Sequence, residues 1–319
     1  MDFAELRKDF VAGDRRALAR MISLIENRSP GAASAMRALY DLCGRARVIG
    51  ITGPPGAGKS TLTDALISRY RAADKTVGVV AVDPSSPFSG GAILGDRVRM
   101  QKHFLDTGVF IRSLSTRGRH GGLARPTREV VHLLDAFGFD VILVETVGVG
   151  QTELDVMRLA QTTVVALVPE AGDTIQVMKA GLLEIADVFV VNKADREGAR
   201  RLKNEIDVML QMRPGQGWTV PVLLTEATSG AGVDELQSAL EEHALAAVEK
   251  QETRRGGVGE WREILREEVL LRLERGLASS EEEMAESVRR GERNPYDAAL
   301  EILQDPARMA RLLNDVENS

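Results

Sequence analysis

Seven short apolar runs, set apart by stretches with helical spacing, constrain this chain more than any other feature. They fall at Val48–Thr52, Val77–Val82, Val109–Ile111, Val141–Val144, Val164–Val168, Val188–Val191 and Val220–Leu224. They are rich in Val and Ile and mostly unbroken rather than alternating. Strands read this way when helices cover both faces of their sheet. Helical patterns lie between several of them, at Ser60–Arg71, Arg128–Phe137, Thr174–Ile185 and Arg201–Met212. The alternation predicts an α/β fold built on a doubly wound, mostly parallel sheet. Such sheets bind ligands beyond the carboxyl ends of their strands.

The flanks read differently. Leu18, Met21, Ile22 and Ile25 recur at helical spacing after Gly13-Asp14. Ser29-Pro30-Gly31 is a break, and a helix resumes over Ala32–Leu42. Residues 1–45 are therefore expected to form an N-terminal helical segment and residues 46–250 the α/β domain. Gln251–Gly259 is polar and Gly-containing and reads as a linker. Beyond it, Glu260–Gly276 reads as an amphipathic helix carrying Trp261, Ile264, Leu265, Val269, Leu271 and Leu273. Asn294-Pro295 opens a further helix, and 251–319 is expected to be a C-terminal helical region.

Composition removes several function classes. The formal net charge of −6 argues against nucleic acid as a partner. Cys43 is the only cysteine, which excludes a disulfide framework and any multi-cysteine metal site, and it suits a reducing compartment. The four histidines, His103, His120, His132 and His243, are scattered. The acidic start has no apolar leader, and no apolar run approaches the ~18 residues a membrane span needs. The expected setting is the cytoplasm, with no membrane association.

The sharpest motif follows the first strand: Gly53-Pro54-Pro55-Gly56-Ala57-Gly58-Lys59-Ser60-Thr61. It fits the Walker A pattern. Glycines let backbone N–H groups turn inward and approach phosphate oxygens, and the helix that follows points its positive end at the same anion. Lys59 supplies a full charge for the β/γ phosphates, and the Ser60 hydroxyl suits Mg2+. Asn192-Lys193-Ala194-Asp195 follows the strand at Val188–Val191 and matches the Asn-Lys-x-Asp reader of guanine. A carboxylate at Asp195 accepts from guanine N1–H and the exocyclic amine; adenine lacks that donor pair and would leave the acid unpaired. Asn192 is expected to touch the base edge and the phosphate loop, and the Lys193 stem to lie along the ring.

Between these motifs, Glu145-Thr146-Val147-Gly148 closes a strand. A carboxylate here orders Mg2+ or its water, and the glycine N–H meets the γ-phosphate. Val149 stands where Ras-type proteins carry the glutamine that orients water, so hydrolysis by the chain alone is expected to be slow; Gln151 is out of register. Asp83, at the end of its strand in Asp83-Pro84-Ser85-Ser86, is a candidate ligand for metal or water, with a solvated turn as the plain alternative.

Together with Gly90-Gly91-Ala92-Ile93-Leu94-Gly95-Asp96-Arg97 and Glu145-Thr146-Val147-Gly148-Val149-Gly150-Gln151, these tracts resemble the MeaB/ArgK-like G proteins over nearly the whole chain. Those are SIMIBI-class P-loop GTPases, chaperones of adenosylcobalamin-dependent methylmalonyl-CoA mutase. The resemblance implies a P-loop GTPase core with a C-terminal helical dimerisation arm. The implied ligands are GTP, GDP and Mg2+. The implied partners are methylmalonyl-CoA mutase or a related adenosylcobalamin mutase, the adenosyltransferase, and a second copy of the chain. Asp96 matches the switch I acid that assists hydrolysis, its alternative being a helix N-cap over Val98–Phe104. Lys179 matches a basic residue of the segment called switch III, its alternative being a solvated helix lysine. On this reading Lys59, Asp96, Glu145, Gly148 and Lys179 serve catalysis, and Ser60, Asp83, Asp96 and Glu145 the metal. Ala227 keeps the small residue of the last guanine loop, while Glu226 replaces its usual hydroxyl. Arg117-Gly118-Arg119-His120-Gly121-Gly122 reads as a mobile loop or partner surface, its alternative being a plain connecting loop. Two rivals are a nickel or cobalt metallochaperone GTPase, which usually carries His- or Cys-rich tracts, and a kinase acting on a transport protein, for which no acceptor site is evident.

Overall fold

The structure is a computed structural model that describes residues 3–27, 29, 31–83, 100–115, 124–146, 148, 157–169, 181–212, 217–249, 258–280 and 282–314. Its strands are β1 (Arg47–Thr52), β2 (Val77–Asp83), β3 (Val109–Ser115), β4 (Val141–Thr146), β5 (Thr162–Leu167), β6 (Val188–Asn192) and β7 (Val222–Thr225). They form one sheet in the order β3-β2-β4-β1-β5-β6-β7. Every pairing is parallel. All seven predicted runs become strands, shifted by a few residues at their ends.

The unbroken apolar runs have a direct cause. Along β1, Val48 joins the core on one face, with Val80, Ile142 and Val144, while Ile49 and Ile51 join the core on the other, with Val79, Leu143 and Val164. Successive side chains point to opposite faces, so both sets must be apolar. The first face is covered by α1 (Phe3–Val11), α2 (Arg15–Glu26), α3 (Ala32–Leu39) and α5 (Ala124–Phe137). The second is covered by α4 (Lys59–Ala72) and, after the short α6 (Leu182–Ile185) and α7 (Ala199–Gln211), by α8 (Val233–Glu249). α7 packs Leu202 and Ile206 against Phe189 and Val191.

Leu18, Met21, Ile22 and Ile25 are all buried, as their spacing predicts. Each such burial contributes on the order of 1.5–3 kcal/mol. The Asp14 side chain caps α2 by accepting from the Arg16 N–H at 2.8 Å. The approach to β1 is held by buried Asp135 of α5, whose carboxylate accepts from the N–H groups of Gly44, Arg45 and Ala46. At the sheet edge, Lys203 Nζ donates to the outward Val222 carbonyl at 2.8 Å, which blunts β7 as a pairing site.

Residues 1–256 and 257–319 form separate compact units. The N-terminal helices thus belong to the unit that carries the sheet. The second holds α9 (Val258–Ser280), α10 (Glu282–Arg289), α11 (Pro295–Gln304) and α12 (Pro306–Asn314). α9 begins two residues earlier than the sequence suggests. It packs against α12 where Gly276 permits close approach: a Cβ there would lie 2.6 Å from the Leu312 carbonyl oxygen. Its apolar residues do not make the expected single stripe. Trp261, Ile264, Leu265 and Leu270 are exposed, while Val269, Leu271 and Leu273 are half-buried, because they are distributed around the helix. Among the described residues, no helix is long and apolar enough to cross a membrane.

Candidate functional site

The chain runs from β1 outward to β2 and β3, returns to β4 beside β1, then continues on the opposite side through β5, β6 and β7. This reversal opens a crevice at the carboxyl ends of the central strands. The Walker segment occupies it, between the end of β1 and the first turn of α4. Gly53 has φ +145°, and a Cβ there would lie 2.0 Å from the Ala166 carbonyl oxygen of β5. Only glycine fits so close to a neighbouring strand in that backbone conformation. Gly58 has φ +82°, and its Cβ would meet Asn192 Nδ2 at 2.4 Å. Ala57 is buried and Thr61 half-buried. The Ala57 N–H closes the loop onto the Pro54 carbonyl at 3.2 Å, while Pro55 and Gly56 form its turn.

Lys59 is buried, and its Nζ donates to the carbonyls of Gly53 at 2.8 Å and Pro54 at 3.0 Å. The ammonium therefore lies folded within the loop it is expected to serve. Ser60 Oγ lies 2.6 Å from Glu145 Oε1, and Thr63 Oγ1 lies 2.9 Å from Glu145 Oε2. All three side chains are buried. Beyond them, Thr52 Oγ1 donates to the Gly148 carbonyl at 2.9 Å, and Thr146 Oγ1 lies 3.0 Å from Thr52 Oγ1. These hydroxyls tie the end of β4, and Gly148, to the end of β1.

On the other side, buried Asn192 ends β6. Its Nδ2 donates to the Ala57 carbonyl at 2.9 Å. Its Oδ1 accepts from Thr225 Oγ1 at 3.1 Å and from the Ala227 N–H at 3.2 Å. One amide thus joins the phosphate loop to the loop after β7. Lys193 takes a left-handed conformation at φ +56°, which swings the chain over the strand end, and Asp195 stands exposed just beyond. Glu226 forms an antiparallel bridge with Ala231 through its backbone, its N–H donating to the Ala231 carbonyl at 2.9 Å. Gly232, at φ +74°, approaches the Leu224 carbonyl so closely that a Cβ would lie 2.1 Å away. The loop geometry is therefore set by backbone, and Glu226 occupies its place without breaking it.

A sequence model of a known family, described as methylmalonyl Co-A mutase-associated GTPase MeaB, matches residues 18–277. The chain belongs to the MeaB family. It is a P-loop GTPase. A Pyrococcus abyssi protein assigned to the GTPases is 46% identical over 310 residues, covering 94% of this chain and 96% of that one. The Escherichia coli GTPase ArgK is 36% identical over 271 residues, covering 81% and 82% respectively. The Mus musculus methylmalonic aciduria type A homolog is 39% identical over 199 residues, covering 61% of this chain and 48% of its own. Among solved structures, that of a LAO/AO transport system kinase superposes with a TM-score of 0.69 at 26% identity, covering 94% of this chain and 97% of that one.

In this MeaB-family chain the structure brings together Gly53 through Ser60, Glu145, Asn192 and Ala227. Asp83 closes β2, with Ser115 of β3 as its register partner. Asp96, Lys179, Val149, Gln151 and the 117–122 tract lie outside the described residues, as does the side chain of Asp83. Sequence reasoning missed Thr52, Thr63, Thr146 and Thr225. A signal for three of them exists: β1 and β7 end in threonine after mostly aliphatic residues, and β4 ends in Glu145-Thr146. A hydroxyl closing a buried strand needs a partner, and here each finds one at the crevice.

Proposed function

We propose that this chain is a Mg2+-dependent G-protein chaperone of an adenosylcobalamin-dependent methylmalonyl-CoA mutase or a related acyl-CoA mutase. It gates delivery of the cofactor and protects the mutase from inactivation. The observation that carries the nucleotide part is the buried path from the phosphate loop through Asn192 to Ala227, which fixes the base-reading loops relative to the phosphate cradle. The client is supported by the family's description and by the name of the mouse relative.

The site chemistry follows from the residues present. The loop N–H groups and Lys59 hold the β/γ phosphates, for which Lys59 leaves the carbonyls of Gly53 and Pro54. Asp195 selects guanine, Lys193 covers the ring, and Asn192 keeps the two loops in register. Ser60 and Glu145 present hard oxygens 2.6 Å apart in a buried setting, a donor set that fits Mg2+. Among the described residues no group of three or more His, Cys, Asp or Glu is assembled for a metal. Asp83 and Asp96 complete the proposed set. When bound, the ion neutralises charge on the phosphates. Gly148 senses the γ-phosphate, and Asp96 and Lys179 act from the switch segments. Hydrolysis then changes how those segments meet the mutase. The proposal places the protein in the cytoplasm, as a homodimer through its C-terminal helices, with the adenosyltransferase as a further partner and neither nucleic acid nor membrane.

The test is a pull-down from native extract with the full chain loaded with GTP or with GDP. A cobalamin-dependent acyl-CoA mutase should be retained, to an extent that depends on the nucleotide. Hydrolysis should be slow for the chain alone and faster with that mutase added. Absence of such a mutase from both eluates, or a high basal rate that no mutase alters, would overturn the proposal.

A further inference from the structure

Thr63 occupies a place that the phosphate-loop chemistry does not call for. It lies in the first turns of α4, fully buried, and faces the end of β4. Its Oγ1 is 2.9 Å from Glu145 Oε2 and 2.9 Å from the Lys59 carbonyl oxygen four residues back. A hydroxyl has one proton to give. Donation to an ionised carboxylate is the stronger of the two options, while the backbone carbonyl remains as an alternative acceptor of the kind threonine uses within helices. The hydroxyl is therefore never left unpaired, whichever partner it serves.

The two oxygens of Glu145 thus have separate partners. Oε2 is engaged by Thr63 and Oε1 by Ser60, at 2.6 Å. Both hydroxyls come from α4, one turn apart, and both reach across to the same strand end. A carboxylate free to rotate would present either oxygen to Ser60. With Oε2 held by Thr63, Oε1 is directed at the position where Ser60 meets a cation.

We propose that Thr63 is a positioning residue for the divalent cation. By fixing Oε2 of Glu145 it aims Oε1 toward the Ser60 side and holds the carboxylate ready for the strict octahedral shell of Mg2+. The inference rests on the Mg2+ reading given above. Mg2+ tolerates a misdirected ligand poorly, whereas Ca2+ accepts varied geometry. Loss of the Thr63 hydroxyl should therefore weaken Mg2+ far more than Ca2+. Removal of an outer partner that orients a metal ligand typically costs about 10- to 100-fold in affinity, and the lower end is expected for a single neutral hydroxyl.

The experiment measures metal affinity rather than turnover. The full chain is loaded with a fluorescent GDP analogue, stripped of metal with EDTA, and titrated with Mg2+ and separately with Ca2+. Thr63→Val keeps the shape of the side chain and removes its hydroxyl. Thr63→Ala removes it without placing a second methyl near the carboxylate, and serves if the valine variant does not fold. Thr63→Ser restores the hydroxyl. The expected result is about a 10-fold loss of Mg2+ affinity in the valine and alanine variants, with metal-free GDP affinity unchanged, Ca2+ affinity altered less than threefold, and serine close to wild type. An Mg2+ affinity within twofold of wild type in a folded hydroxyl-free variant would overturn the proposal. So would an equal loss for both ions. Failure of the underlying Mg2+ reading is distinguishable, because the wild-type protein would then show no coupling between GDP and Mg2+.

Discussion

Replacing Asn192 by alanine tests the link between fold and site most directly. The side chain makes three hydrogen bonds, to Ala57, Thr225 and Ala227. It is 2% exposed, so water cannot replace it without local opening. Each neutral bond contributes about 1 kcal/mol net, and a buried backbone group left unpaired costs about 1–3 kcal/mol. The Ala57 carbonyl and the Ala227 N–H are both so placed. The expected loss is therefore about 3–5 kcal/mol, a large part of the roughly 5–15 kcal/mol that holds a domain together. At about 2–4 °C per kcal/mol for a domain of this size, the midpoint should fall by roughly 6–20 °C. The assay is urea unfolding followed by tryptophan emission. The chain has two tryptophans, Trp218 and Trp261, one in each compact unit. In a Trp261→Phe background, Trp218 alone reports on the unit carrying the sheet, which avoids fitting two transitions as one. Guanine nucleotide affinity should fall in the same variant, since the two loops lose their shared tether. A destabilisation below about 1 kcal/mol would refute the reasoning, because it would mean that the three bonds exchange with water at no cost.

Asp195→Asn should weaken GTP and favour xanthosine triphosphate, whose ring offers the complementary group; a nucleotide titration in which the variant matches wild type would remove Asp195 as the base reader. Asp106 carries a pH signature: the Arg71 side chain at 2.9 Å and the Gly108 N–H at 2.7 Å hold its carboxyl below the usual range. Because the folded value is depressed, the stabilisation is complete above the unfolded carboxyl value of about 3.9 and disappears as pH falls through the folded one. Wild type should thus exceed Asp106→Asn by a constant margin, under about 1 kcal/mol for this partly exposed pair, in urea melts between about pH 5 and 8. The margin should close below about pH 4; a margin unchanged at pH 3 would exclude this pair as its source.

Periodicity and short motifs determined a great deal on their own. Unbroken Val- and Ile-rich runs required a sheet buried on both faces, and the seven parallel strands follow from that requirement. The Walker segment and Asn192–Asp195 were legible because their chemistry is local: a glycine-rich turn, an ammonium, an amide and a carboxylate each declare themselves within a few residues. Tertiary structure alone decided what those groups touch. Periodicity cannot order strands, so it could not place β4 between β2 and β1, which is what brings Glu145 to Ser60 across 85 positions of sequence. The same holds for Thr63, an ordinary helix residue until β4 lies beside it, and for Ala227, whose N–H is taken by Asn192. Sequence patterns record which face of an element must leave water. Which polar atoms then meet is settled only when distant elements are packed together, because a hydrogen bond acts over about 3 Å while the chain that carries its partners is far longer.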